Sequence, residues 1–381
     1  MKIAFEGQLL LAEKKTGIAW NAHNLILELA KNPENECTIQ VFGLGKSDEE
    51  LHRLDVYKKA GCKIEVCRWF SFPLYKILWN FIPIPYSCFF KTNPDVAQFF
   101  SFVIPPGVRG KAVTIVHDMA YKACPETVAK RTKTWLDLTM KRTCKRASHI
   151  VTVSEFSKQE IHKYLGVPLE KITVVPNAVD HDTFHPNYTN EQVQSVREKY
   201  GLKDKYFLYL GTIEPRKNLE HLIGAYEKFC DNCDNPPQLV LAGGKGWLCE
   251  GIYEKAERSK YTKNILFTGY IDQEDAPVLM KGAKAFVFPS LYEGFGMPPL
   301  EAMACGTPVI ISDQASLPEV VGDAGLIAKY DDEDAMSEAI QRLYSDETYR
   351  GNLIQLGLER VTQFSWRESV KKLEKIYKNC I

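Results

Sequence analysis

The amino-acid sequence predicts an α/β protein made of two doubly wound, parallel-sheet, Rossmann-like units that face a cleft. Short apolar runs of strand length alternate with amphipathic segments from one end to the other, the pattern of parallel sheets covered by helices on both faces. The series breaks once, between Pro176 and about Lys205, and then restarts. A length of 381 residues suits two domains of ordinary size.

Taken in order, Lys2–Phe5 reads as the first strand. A helical pattern from Trp20 to Ala30 separates it from Thr38–Phe42. Lys63–Val66, Val96–Phe99, Val113–Val116, Ile150–Val153 and Ile172–Val175 continue the first half. Ser154, between strand and helix, is a good N-cap. The connection holds Asn177-Ala-Val-Asp180, then His181–Pro186, then a polar helix around Asn190–Tyr200. Strands resume at Tyr206–Leu210, Gln238–Ala242, Ile265–Phe267, Ala285–Phe288 and Pro308–Ile311. We place the first domain at 1–180, the second at 181–364 and a last helical segment at 365–381.

Composition narrows the function classes. Lys plus Arg equals Asp plus Glu, at 48 each, which argues against a dedicated nucleic-acid binder. The N-terminus reads as a strand rather than a basic segment before a long apolar one, and no apolar run approaches the ~20 residues of a membrane span. The expectation is a cytoplasmic protein with reduced thiols. Of the 11 cysteines, Cys230 and Cys233 form a C-x-x-C, read as a bland surface pair rather than a metal or redox site. Asp180-His-Asp182 is read as turn chemistry, and no metal site is expected.

Chemistry concentrates at strand ends. After Ala285–Phe288 comes Leu291-Tyr-Glu-Gly-Phe-Gly-Met-Pro-Pro-Leu-Glu301, a glycine turn running into a helix, with Glu293 and Glu301 flanking it. A strand, glycine turn and helix offer backbone N–H groups to a phosphate, and Pro298 and Pro299 fit a first helical turn. Two acceptors around an anion site suit a nucleotide sugar. Two glutamates at this spacing alone are as readily a loop residue and a helix residue. After Tyr206–Leu210 comes Gly211-Thr-Ile-Glu-Pro-Arg-Lys-Asn218, which delivers Arg216 and Lys217 to the cleft mouth, able to neutralise a diphosphate. The bland alternative is a solvated basic pair. His117 and Asp118 end the strand beginning at Val113. A lone histidine there is more often structural.

These strings resemble retaining nucleotide-sugar glycosyltransferases of family four. The Glu293–Glu301 segment, continued by Ala302-Met-Ala-Cys-Gly-Thr-Pro-Val309, resembles their E-x7-E signature. The segment from Gly211 to Asn218 resembles their G-x4-R-K-N element, and Val174-Val-Pro-Asn-Ala-Val-Asp180 their P-N-G-V-D element with Ala178 for glycine. The resemblance implies the GT-B architecture, with the C-terminal helix crossing back to the first domain. It implies donor pyrophosphate on Arg216 and Lys217, sugar hydroxyls on Glu293, ribose on Glu301, and donor sugar beside His117. Gly294, Phe295, Gly296 and Leu300 complete the donor turn, with Gly211, Asn177 and Lys245 as further donor contacts. Near the first strand, the family's paired glycines are replaced by Thr16-Gly17, leaving Gly17 to allow close backbone approach. No cofactor beyond a nucleotide-sugar donor is implied. GDP-mannose is favoured, with UDP-sugars open, and a glycan or lipid-linked glycan is the expected acceptor. A phosphorylase or epimerase on the same plan, and a nucleotide-binding scaffold, are the rivals; a phosphorylase would need a pyridoxal lysine.

Two surface features bear on the acceptor. Lys130–Arg146 carries seven cations beside Trp135 and Leu136, and residues 69–90 carry nine aromatic rings, from Trp69 through Phe81 to Phe90. A domain helix and core residues explain both; peripheral contact with an anionic membrane is the functional reading.

Overall fold

The computed structural model describes residues 1–79 and 82–381, so Phe81 of the aromatic run lies outside the described residues. The chain forms two compact units, residues 1–177 with 365–381, and residues 178–364.

In the first unit, β1 (Lys2–Glu6), β2 (Glu36–Phe42), β3 (Lys63–Cys67), β4 (Val96–Phe99), β5 (Lys111–Ile115), β6 (His149–Thr152) and β7 (Ile172–Val174) form one sheet in the order β3-β2-β1-β4-β5-β6-β7. All its pairings are parallel. Every residue of β4 is buried, as is every residue of β1 after Lys2. That explains the runs of apolar residues without alternation, since both faces are covered by helices. Ser154 does cap its helix, accepting from Ser157 N, and Gly166 ends that helix in the left-handed region at φ 66°. The Trp366–Cys380 helix belongs to this unit and packs on the Gly17–Ala30 helix. Tyr377 is fully buried and donates to Gln98 Oε1 at 2.8 Å.

In the second unit, β8 (Tyr206–Leu210), β9 (Gln238–Ala242), β10 (Ile265–Gly269), β11 (Ala285–Phe288), β12 (Val309–Ser312) and β13 (Gly325–Ala328) run in the order β10-β9-β8-β11-β12-β13, again all parallel. Strand β13 escapes the sequence reading because Gly325-Leu-Ile-Ala is short, glycine-led and only partly buried. Gly17 opens a helix instead of lying in the loop before it. Cys230 is buried in the Leu219–Asp231 helix, with its thiol pushed up to about 12 chiefly by burial. This corrects the surface-pair reading, because the helix's apolar face includes that position.

Both sheets reverse their strand order once, between β1 and β4 and between β8 and β11. Open α/β sheets bind ligands beyond the carboxyl ends of the strands at such switch points.

Candidate functional site

At the second unit's switch point, the loops after β8 and β11 are tied together by the backbone, where Leu291 N donates to Arg216 O at 2.9 Å. A short 3-10 turn, Pro215–Lys217, is followed by Asn218 in the left-handed region at φ 56°, and the Leu219–Asp231 helix begins at once. Asparagine tolerates that conformation better than most residues, and its side chain donates to Tyr330 O.

This turn brings Arg216, Lys217 and Glu293 into one cluster. Lys217 Nζ lies 2.5 Å from Glu293 Oε1, and Arg216 Nη1 lies 3.3 Å from the same oxygen. Arg216 also donates to Tyr292 O at 2.6 Å and pairs with Glu214 at 2.8 Å. Lys217 sits 5.0 Å above the Phe288 ring. Burial alone would raise the Glu293 carboxyl, but Lys217 and Arg216 outweigh it and hold it below its usual range. For Lys217 the balance is opposite. Burial is the strongest influence and keeps the ammonium below its ordinary value despite Glu293. Both members of this buried pair are shifted from their ordinary values, and perturbed charged groups of this kind cluster at functional sites.

The glycine turn between β11 and the Met297–Ala304 helix is held from behind. Ser316 Oγ donates within 2.9 Å to the carbonyls of Glu293 and Phe295. Gly296 has φ +102°, and a Cβ there would come 2.6 Å from Leu317 Cδ2, so the turn needs glycine on both counts. Phe295 is buried against Phe364. Leu300 is wholly buried, so its side chain serves the core. Glu301 is half-buried on the same helix. Burial pushes its carboxyl up to about 7, and no ion pair or side-chain hydrogen bond holds it among the described residues.

Gly211 and Lys245 lie where β8 and β9 end. Gly243 lets the two loops touch, because a Cβ there would meet Gly211 O at 1.8 Å. Ile213 bridges Lys245 in parallel, and Lys245 Nζ lies 5.5 Å from the Tyr253 ring centre.

Three further residues belong to the first unit. His117 is 8% exposed, and its Nε2–H donates to Phe100 O at 3.1 Å. Burial, against that hydrogen bond, holds its pKa down to about 4, so the ring is neutral at pH 7. Asn177 is buried and accepts from Asn21 Nδ2 at 2.6 Å. Gly17 leads its helix, and a Cβ there would meet nothing within 4 Å. The sequence reading missed Ser316 and Glu214. Ser316 lies in a polar stretch with no periodic signal, and Glu214 was passed over beside two stronger cations.

The fold and this cluster define a class: two parallel-sheet units, one carrying paired cations and acidic groups at its switch point. Residues 192–360 match the family described as glycosyl transferases group 1, and residues 16–183 match glycosyltransferase family 4. The chain is similar to the O-antigen chain mannosyltransferase B of Escherichia coli, 38% identical over 279 residues, covering 73% of this chain and 72% of that protein. It is similar to the serotype-specific mannosyltransferase WbdA of Escherichia coli, 35% identical over 225 residues, covering 58% of this chain and 27% of that much longer protein. In fold it is similar to Anabaena Alr3699/HepE solved in complex with UDP and glucose, with a TM-score of 0.73, 17% identity and full coverage of both chains. The chain belongs to the GT-B glycosyltransferases.

Proposed function

We propose that this protein is a retaining, metal-independent mannosyltransferase. It moves mannose from GDP-mannose to a glycan or lipid-linked glycan acceptor. The observation that carries the reading is the cluster of Arg216, Lys217 and Glu293, where two cations share one carboxylate. A donor diphosphate arriving there gains both cations, and Glu293 is released toward sugar hydroxyls. Glu301, pushed up by burial and with no ion pair or side-chain hydrogen bond among the described residues, suits ribose hydroxyls that would satisfy its charge. His117 is neutral and offers Nδ1 to a sugar hydroxyl. Gly211, Lys245 and the turn from Gly294 to Leu300 complete the second unit's part of the donor site.

In the proposed reaction the acceptor oxygen bonds to the anomeric carbon on the face from which the diphosphate leaves. The bond from that carbon to the phosphate oxygen breaks, and the leaving diphosphate takes the acceptor's proton. Arg216 and Lys217 stabilise the charge gathering on the leaving group, which supports a reaction without a divalent metal. The mannosyl assignment rests on the mannosyltransferases among the relatives, and HepE's complex with UDP keeps UDP-sugars as the competing donor.

Thermal unfolding with nucleotide sugars and free nucleotides, with and without EDTA, tests this reading. A ligand that binds only the folded chain raises its melting temperature. The expected result is a shift with GDP-mannose and GDP that EDTA leaves unchanged. A shift with UDP compounds alone replaces the donor, and none with any nucleotide sugar favours a scaffold.

A second reading, peripheral attachment at the cytoplasmic face of a membrane, is favoured by one surface. No helix among the described residues is long and apolar enough to cross a membrane. Yet Leu74 and Ile77 are 45% and 57% exposed on the Phe72–Leu78 helix. That helix meets the basic Lys130–Arg146 helix through the Trp79–Trp135 stack just beyond its end. Arg131, Leu138, Arg142 and Lys145 lie along one exposed stripe of the basic helix. Apolar anchors beside cations suit anionic lipid. Sedimentation with phosphatidylserine vesicles at low salt should carry the protein down, with release as salt rises. Protein left in the supernatant at low salt removes the membrane reading.

A further inference from the structure

The first unit has its own switch point, between β1 and β4, and it holds a built cavity of about 280 Å³. Glu6, the last residue of β1, stands in its wall with Phe72, Trp79, Tyr86, Ser101 and Trp135. Glu6 is only 7% exposed. Its carboxylate accepts from Gln8 N at 2.9 Å and Ser101 Oγ at 3.3 Å. Burial pushes it up, while those bonds and the nearby Lys76 charge pull it back. Trp79 and Trp135 stack at 6.1 Å and 7° between planes, and Lys76 Nζ lies 4.7 Å from the Trp135 ring centre. Two lining residues carry buried polar atoms with no hydrogen-bond partner among the described residues, Trp79 Nε1 and Tyr86 OH. Phe102, between Ser101 and Val103, is held at φ +65°, a conformation unusual for a bulky residue.

We propose that this cavity binds one neutral pyranose, the terminal ring of the acceptor glycan. The assignment rests on the transferase reading above. The volume lies at the small end of ligand pockets, the size for one ring rather than a nucleotide. Aromatic walls take the C–H faces of a sugar ring, and a desolvated carboxylate takes its hydroxyls. An acyl chain would fill the aromatic space but leave the buried Glu6 carboxylate with only Gln8 N and Ser101 Oγ to offset its desolvation, at a cost.

The test is intrinsic tryptophan fluorescence of the full chain, titrated with methyl α-mannoside, methyl α-glucoside, N-acetylglucosamine and, as the apolar competitor, n-octanol. GDP-mannose thermal shifts are measured in parallel. At least one pyranoside should saturate the wild-type signal. Glu6→Gln should weaken it by roughly 10- to 100-fold, the effect of losing a hydrogen bond to a charged group, with the GDP-mannose shift unchanged. Trp135→Leu provides a second variant, with the donor shift reporting that each variant is folded. Pyranoside binding equal in wild type and Glu6→Gln overturns the assignment, as does binding of octanol alone. Absence of the donor shift in the wild-type protein counts against the transferase reading itself, which the fluorescence titration does not address.

Discussion

Lys217→Ala should lower turnover by roughly 10²- to 10³-fold, the effect of removing one preorganised donor from a developing negative charge. Glu293→Ala should fall comparably for a different reason, because it takes the acceptor from the donor sugar and frees the cations from their resting partner. The two variants should differ in stability. Lys217→Ala leaves Glu293 buried with Arg216 still 3.3 Å away, so the loss should stay below the ~3–5 kcal/mol of a fully broken buried pair. Glu293→Ala leaves Arg216 and Lys217 as two adjacent cations without the carboxylate they share, and burial already disfavours the Lys217 ammonium. The stability losses should therefore not add in the double variant, since the residues share one network. Single-turnover transfer assays with denaturant unfolding would check both statements. Near-normal transfer by both folded variants would remove the site assignment.

Glu301→Gln should weaken donor binding by roughly 10-fold or more while making the free protein more stable above neutral pH. The sign follows from the carboxyl's rise to about 7 from an ordinary value of 4.5. Between those values the folded chain holds a proton that the unfolded chain has released, so stability falls as pH rises through the window. Below about 4.5 both states are protonated and the penalty vanishes. Above about 7 both are ionised and it is complete, about 1–3 kcal/mol after allowing for partial exposure. Glutamine removes the charge and keeps the shape, so the variant should melt higher than wild type at pH 8 and match it at pH 4. Saturating donor should narrow the difference at pH 8, because ribose hydroxyls relieve the same carboxylate in the wild type. Equal melting at both pH values would show that Glu301 is not strained in the free protein.

The strand ladder was legible because parallel strands are covered on both faces and so read as unbroken apolar runs. Tyr206–Leu210, Gln238–Ala242 and Ala285–Phe288 carry that signal over their whole length. β13 did not, being led by Gly325 and only partly buried. Arg216, Lys217, Glu293 and Glu301 stood out as residues because charged groups after an apolar strand fall on the ligand side of an open sheet. Their pairing was not legible, since it depends on Asn218 turning left-handed and on Leu291 N reaching Arg216 O.

By itself the sequence determined the α/β class, the alternation that makes the sheets parallel, and the identity of the charged groups at the strand ends. These are local matters of periodicity, turn chemistry and residue type. Only the tertiary structure decided that Lys217 and Glu293 form a buried contact, that Glu301 has no ion pair or side-chain hydrogen bond among the described residues, and that Ser316 braces the glycine turn. It also decided that Glu6 meets Trp79 and Trp135 around one cavity, and that Tyr377 in the last helix reaches Gln98. Each joins residues far apart in the chain, and the burial that sets their charge states comes from neighbours that no local pattern names.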